Sequence, residues 1–562
     1  MFSCVFAVAH AGEFALGAIL IIMLLSFLPR RLWAAFSVLF GAGVTVFLLA
    51  NFFVYRQFRL HIDMGMLSMF FGEAGSDIFV FPMVMYVQAA LYTAAVLVFT
   101  VFAWLSAARL ARRRPSPWLK RAYVVVLICI VAFHGSYAWA RLNMYGPVTR
   151  QAEALPLVQP LSVNSLFKKM GYEPAVDLPR FKAKSMQYPL AQLTFNAPDK
   201  KLNLVVIMLD GWRFDSMTEE ISPHIYEFSR LCRRFTRHNA ASNHTRHGVF
   251  SFYYGLPGMY WSSVLADKLS PVLMDAMLHS GYSMGIFGSS SLSSPEFDQT
   301  VFSKVQGVDL FTAGNLPADK DLEITGKFLR FLDERDKSAP FFSFLFYDAT
   351  HSYHYDAEIS PPKFLPEMDK NYLANTSKEQ LKLLFNRYKN TVLYDDLLVG
   401  RVLDRLRAEE LLENTVVIVT SDHGEEFDDL GLGYMGHNGN FSDYQTQVPM
   451  LVYWPGLAGA EHNYATSHLD VAPTLMREIF GCDSPPETYS NGTDLFSPEP
   501  RKYKFMMGPS GSHAIRIGDY ITVFPQIGPS YSVSAADYRP ADWKMPQATY
   551  RKILYDLSRF KK

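Results

Sequence analysis

"VIVTSDHGEEF", residues 417–427, decides how the chain is read. It opens as an apolar, β-branched run of the kind that forms a buried strand, and it stops at Asp422 and His423, two side chains well suited to a metal ion. Gly424 permits a tight turn behind them, and Glu425 and Glu426 follow as carboxylates that support the ligands or open a helix. Taken alone, such a stretch is also what a buried edge followed by a turn looks like. The rest of the chain has to decide between the two.

From Leu202 onward, short apolar runs alternate with helical stretches: "LNLVVIMLD" (202–210), "YSMGIFG" (282–288), "APFFSFLFYD" (339–348) and "VPMLVYW" (448–454). That alternation predicts an α/β domain built on a parallel, doubly wound sheet, in which ligands gather at the carboxyl ends of the strands. Asp210 closes the first run, Asp422 and His423 close a later one, and Thr245 stands in "ASNHTRHGVFSFYYG" (241–255) just ahead of an expected helix. Each has an ordinary reading: a turn former, a helix cap, a core histidine. Their conjunction at element ends favours one divalent ion, Zn²⁺ or Mn²⁺ before Mg²⁺ or Ca²⁺, held by Asp210, Thr245, Asp422 and His423. A metal on the Thr245 hydroxyl favours its alkoxide, which makes Thr245 the candidate nucleophile, and a helix N-terminus beneath it suits an anionic substrate.

The first 140 residues have a different character. Apolar runs at 14–28, 32–54, 81–108 and 122–140 are each long enough to cross a bilayer and carry almost no polar face, so four spans are expected. The loop 109–121 holds six Lys or Arg and the joint Pro29-Arg30-Arg31 two, which predicts that both face the cytoplasm and that the chain after residue 141 lies on the other side. Over the whole chain charge is balanced, 53 basic against 53 acidic residues, so there is no footprint for nucleic acid. The four cysteines are too few for a disulfide scaffold, and only Cys232 and Cys482 remain as a conceivable pair. The expected organisation is a transmembrane domain over 1–140, a membrane-proximal linker over 141–200, an α/β domain over 201–500 and a C-terminal subdomain over 501–562.

At these residues the chain resembles the alkaline phosphatase and sulfatase superfamily. "VVIMLDGWRFDSM", "NHTRHGVFSFYYG", "TSDHGEEF", "GHNG" and "SHLDVAPTLM" follow the order and spacing of a sulfatase-type domain over roughly 200–500. Sulfatases present a cysteine, converted to formylglycine, within Cys-x-Pro-Ser-Arg. This chain has Thr245-Arg246-His247 instead, which resembles the threonine branch of phosphoethanolamine and phosphoglycerol transferases. The resemblance implies the same four metal residues, and His351 and His437 as contacts to the substrate's phosphate or sulfate oxygens. A longer resemblance, through the spans, "MYGPVTRQAEALPL" and "SMQYPLAQL", is to the YejM (PbgA) family of Gram-negative inner-membrane proteins, which usually have five spans against the four read here, so either a first helix is missing ahead of Met1 or the chain has diverged. That family holds its sulfatase-like domain in the periplasm, binds lipopolysaccharide or cardiolipin, and acts on lipopolysaccharide synthesis through a cytoplasmic protein partner.

Two functions follow as expectations. One is an inner-membrane-anchored, periplasmic hydrolase or transferase of phospho- or sulfo-esters. The other is a non-catalytic regulator that binds an anionic envelope lipid. Arg180, Lys182 and Lys184, in "RFKAKSMQYPL" (180–190), lie where the resemblance places lipid contact.

Overall fold

The computed structural model describes residues 2–71, 81–110, 117–143, 145–152, 154–161, 169, 171, 185–196, 200–370, 377–499, 501–526 and 528–561. Four helices hold the apolar runs: α1 (Phe2–Leu24), α2 (Arg30–Phe58), α3 (Met83–Leu110) and α4 (Pro117–Leu142). Each is long and apolar enough to cross a membrane, with mean hydropathy between 1.8 and 2.1. Helix α1 lies along α4 and α2 along α3, and Phe6 meets Phe133 edge-on with ring centroids 4.5 Å apart. Leu20, Phe27, Val98, Phe102 and Val131 remain exposed around the bundle, as in a surface that meets lipid rather than water.

Between the spans and the α/β domain the chain forms a short helix, Gly146–Ala152. Residues 185–196 do not lie out along the membrane as a free linker. Gln187 N donates to Phe560 O, Leu190 N to Thr488 O and Asn196 N to Gly481 O at 2.8–2.9 Å, which stitches this segment to the folded domain. Arg180, Lys182 and Lys184, the expected lipid contacts, fall outside the described residues.

The domain is built on a seven-stranded sheet. Its strands are β1 (Asn203–Leu209), β2 (Arg233–Asn239), β3 (Ser283–Gly288), β4 (Phe341–Tyr347), β5 (Thr415–Thr420), β8 (Met450–Tyr453) and β9 (Ala460–Ser467), in the order β3-β4-β1-β5-β8-β2-β9. A separate two-stranded hairpin, β6 (Glu426–Phe427) and β7 (Met435–Gly436), stands between β5 and β8 in the chain. The central strand β1 is buried along its whole length, and its side chains alternate: Leu204, Val206 and Met208 enter one core layer, Val205, Ile207 and Leu209 the other. An apolar run with no polar alternation is what a strand covered on both faces requires.

The sheet is mixed, which corrects the all-parallel expectation. Strand β8 runs antiparallel to both β5 and β2. The connection from β5 to β8 contains only the hairpin and one helical turn, Asp443–Thr446, so no helix crosses the sheet to carry the chain back to the start of a parallel strand. A second, antiparallel sheet of four strands between Lys504 and Ser534 packs with the helix Gln547–Leu557 at the C-terminal end. All four cysteines are free. Cys232 and Cys482 belong to different core layers, on opposite faces of the large sheet, so the suggested pair does not meet.

Candidate metal centre

Strand register assembles the centre. β1 pairs in parallel with β4 and β5, with Leu209 opposite Tyr347 and Met208 opposite Thr420. Counting on from those pairs, Asp348, Asp210 and Asp422 leave three neighbouring strands at one edge of the sheet. Gly211, at φ +71°, turns the chain immediately after Asp210. Thr245 enters from a different element, as the first residue of α5 (Thr245–Tyr254). That helix lies close to the end of β5: a Cβ on Gly248 would stand 2.0 Å from the carbonyl oxygen of Asp422.

The four residues expected to hold a metal come together. Thr245 Oγ1 lies 3.4 Å from Asp210 Oδ2 and 3.3 Å from His423 Nε2. His423 Nε2 in turn lies 3.3 Å from Asp210 Oδ1 and 3.4 Å from Asp422 Oδ2. On the other side of the ring, Nδ1 is 2.9 Å from the carbonyl of Gly424, a contact that suits an Nδ1 donor and leaves Nε2 free to ligate. Asp422 Oδ1 accepts from the backbone N–H groups of Gly211 and His423. Asp422 Oδ2 and Asp210 Oδ1 are buried without a hydrogen bond.

Two orphaned carboxylate oxygens aimed at one imidazole nitrogen, with the Thr245 hydroxyl beside that nitrogen, form a donor set that a divalent cation fits. Three overlapping groups have donor atoms within 4.8 Å of one another: Asp210, Asp422 and His423; His423, Glu425 and His437; and Asp210, Asp348 and His351.

The electrostatics agree. Burial and the neighbouring Asp210 charge push the Asp422 carboxyl up to about 7. Burial opposes protonation of His423, but Asp422 and Asp210 outweigh it and raise the imidazole to about 10. Without a cation, the pair of carboxylates is balanced by protons.

Both histidines expected to contact substrate oxygens stand beside this set. The His437 ring stacks on His423 with centroids 4.2 Å apart, and His351 lies 5.2 Å from His437. His437 Nδ1 is 3.0 Å from Glu425 Oε2, and His351 Nδ1 is 3.5 Å from Asp348 Oδ1. Burial and the charge of His423 lower the His437 pKa to about 4. Glu425 and Glu426 open no helix, since a strand begins at Glu426. Glu425 accepts hydrogen bonds from Tyr353 and His437, and Glu426 from Asn440, Ser442 and Gln445. His468 stands behind this set, its ring in contact with His238 and the Ser421 carbonyl.

Asp348 was missed, although "FFSFLFYD" carries the same strand-then-aspartate signature as Asp210. Tyr353 offers no local signal, because its partner Glu425 is 72 residues away.

Comparison with known proteins finds a family match for the domain that holds the centre. The sulfatase family model matches residues 202–479, and a domain of unknown function, DUF3413, matches residues 1–197. The inner membrane protein YejM of Salmonella typhimurium is 25% identical over 484 residues, covering 85% of this chain and 76% of that protein. Phosphoethanolamine transferase EptA of the same organism is 37% identical over 92 residues, 16% of each chain. Among solved structures, the phosphonate monoester hydrolase of Agrobacterium radiobacter shares the fold, with a TM-score of 0.50 at 18% identity over 64% of this chain and 95% of that one.

Proposed function

Because this chain is a YejM-like membrane protein with a sulfatase-family domain, we propose that it is a metal-dependent enzyme that cleaves or transfers a phospho- or sulfo-ester of an envelope lipid. The observation that carries the reading is the position of Thr245 Oγ1, 3.3 Å from His423 Nε2 and 3.4 Å from Asp210 Oδ2, at the start of a ten-residue helix. A divalent ion at Asp210, Thr245, Asp422 and His423 would supply the Lewis acid that favours the threonine alkoxide. Thr245 Oγ1 gives up its proton and attacks the substrate's phosphorus or sulfur: the Oγ1–P or Oγ1–S bond forms as the bond from that atom to the leaving alcohol's oxygen breaks, the alcohol leaves protonated, and water or an acceptor hydroxyl then displaces Oγ1 to free the threonine. The helix N-terminus under Thr245, with His351 and His437 beside it, accommodates the non-bridging oxygens. Thr245 cannot be converted to the formylglycine that sulfatases make from their cysteine, which favours phosphoryl over sulfuryl chemistry.

In this reading the domain lies on the periplasmic side of the inner membrane, a reading supported by the basic residues in the loops after α1 and α3. The test uses the full-length protein in nanodiscs, loaded with Zn²⁺ or Mn²⁺ and given p-nitrophenyl phosphate or p-nitrophenyl sulfate. Thr245→Ala should lose about a thousandfold in turnover and Thr245→Ser should keep part of it. Undiminished activity in Thr245→Ala overturns the nucleophile assignment.

A second reading is a non-catalytic binder of lipopolysaccharide or cardiolipin that works through a regulatory protein partner. It is supported by the extent of the YejM similarity, 85% of the chain. Absence of turnover on both esters by the metal-loaded wild type would favour it.

A further inference from the structure

The segment that carries His437 rests on a membrane helix. In the hairpin of β6 and β7, Glu426 pairs with Gly436 and Phe427 with Met435. Glu425 enters and His437 leaves at the same end, so the 3.0 Å contact between them depends on those two strands keeping register.

The end of α2 meets this hairpin with three successive residues. Gln57, 6% exposed, places Nε2 3.6 Å from Met435 Sδ. The Phe58 ring lies where a side chain on Gly436 would point, 3.3 Å from an added Cβ, and Gly436 sits at φ +76°, so the close approach and the turn both call for glycine. Arg59 ends the helix in the left-handed conformation, φ 54°, which swings its side chain onto the hairpin. Its Nη2 donates to Gly433 O at 3.1 Å, and its guanidinium lies 5.7 Å from the centre of the Tyr434 ring. Beyond the helix, Ser510 Oγ donates to Asp63 Oδ2 at 3.2 Å and ties the same end of the membrane domain to the C-terminal sheet region.

We infer that the C-terminal end of the second span, Gln57 to Arg59, is a positioning element for His437: by clamping the 426–436 hairpin it fixes that imidazole against Glu425 and His423. The inference rests on reading His437 as a contact to substrate oxygens. Its consequence is that the membrane domain is part of the ester site's construction. A change in the tilt or depth of α2 then reaches the site through Phe58 and Gly436, with no separate linker needed.

The test uses the full chain in phosphatidylethanolamine and phosphatidylglycerol nanodiscs, loaded with Zn²⁺, as wild type, Phe58→Ala and the conservative Phe58→Leu. Two quantities are read: deuterium uptake across residues 426–439 and affinity for inorganic phosphate. Phe58→Ala should speed hairpin exchange and weaken phosphate binding, each about fivefold, with zinc content and β1 exchange unchanged, and Phe58→Leu should recover most of both. Wild-type exchange in Phe58→Ala overturns the inference. Faster exchange with unchanged phosphate affinity also overturns it, because α2 would then hold the hairpin without positioning His437. If wild type binds no phosphate, the substrate reading of the site fails, and the exchange data alone decide whether α2 clamps the hairpin.

Discussion

Asp210 and Asp422 leave neighbouring parallel strands side by side, and each points an oxygen that has no hydrogen bond toward the same atom, His423 Nε2, at 3.3 and 3.4 Å. Two buried carboxylates at this separation repel unless a proton or a cation stands between them. The pair is therefore a cost in the metal-free protein and an asset in the loaded one.

Asp422→Asn separates these two effects, since it keeps the volume and removes the charge. Metal-free and at pH 8, above the raised Asp422 pKa of about 7, the variant should be more stable than wild type by about 1 kcal/mol, because the cost of burying that charge and its repulsion with Asp210 are gone. With Zn²⁺ or Mn²⁺ present the order should reverse, because the variant no longer gains from binding. Thermal unfolding with and without chelator, together with elemental analysis, reads both signs. Equal metal content in the two proteins would remove Asp422 from the ligand set.

Metal affinity should climb with pH. In the metal-free protein Asp422, raised to about 7, holds a proton below that pH, and His423, raised to about 10, holds one up to that pH, and each must release it to ligate. Below pH 7 two protons leave per ion bound, and between 7 and 10 only the His423 proton does. The slope should then be about a hundredfold per pH unit below 7 and about tenfold above it. Competition titrations with a zinc chelator across this range measure it, and calorimetry in buffers of different ionisation enthalpy counts the protons. A flat profile would mean that the ion does not sit on these two groups.

The parts of the centre legible in the sequence are those whose signal is local. Asp210, Asp422 and His423 each end an apolar run, and Thr245 begins a helical one, so their placement at one sheet edge follows from strand and helix geometry alone. The four spans were legible for the same reason, as continuous apolar runs. Strand direction was not. "VPMLVYW" reads the same in either direction, and only the path of the connection from β5 makes β8 antiparallel. Tyr353 on Glu425 and Phe58 against Gly436 were hidden too, since each joins segments far apart in the chain and neither residue type announces its partner.

Gly248 gives a test of how tightly α5 is held against the strand end. A Cβ there meets the Asp422 carbonyl oxygen at 2.0 Å and its carbonyl carbon at 2.8 Å, both backbone atoms that cannot swing aside. Gly248→Ala must therefore push the helix carrying Thr245 away from Asp422. A loss of about 1–3 kcal/mol of stability is expected, with weaker metal binding from the same displacement. Thermal unfolding and metal titration of the variant report the two effects, and wild-type values for both would show that the helix is free to shift at no cost.

Substitutions in the basic linker test whether sensing and chemistry are separate. Arg180, Lys182 and Lys184 alternate along the chain, so in an extended segment their charges fall on one side. They precede residues 185–196, which are hydrogen-bonded to the folded domain, so the basic stretch leads directly into the segment pinned to the domain. An anionic head group would be held there by charge-assisted hydrogen bonds, each basic residue near an anionic surface contributing about 1 kcal/mol. Replacing all three with Gln should therefore weaken lipopolysaccharide co-purification by roughly a hundredfold or more, and increasingly so at low salt, where screening is least. Measured beside esterase turnover, the outcome sorts the two functions. Lost lipid with retained turnover on p-nitrophenyl phosphate makes the linker a sensing site apart from the metal centre. Loss of turnover only on a lipid-borne ester makes it the element that delivers substrate, and unchanged lipid binding rules out contact through these three residues.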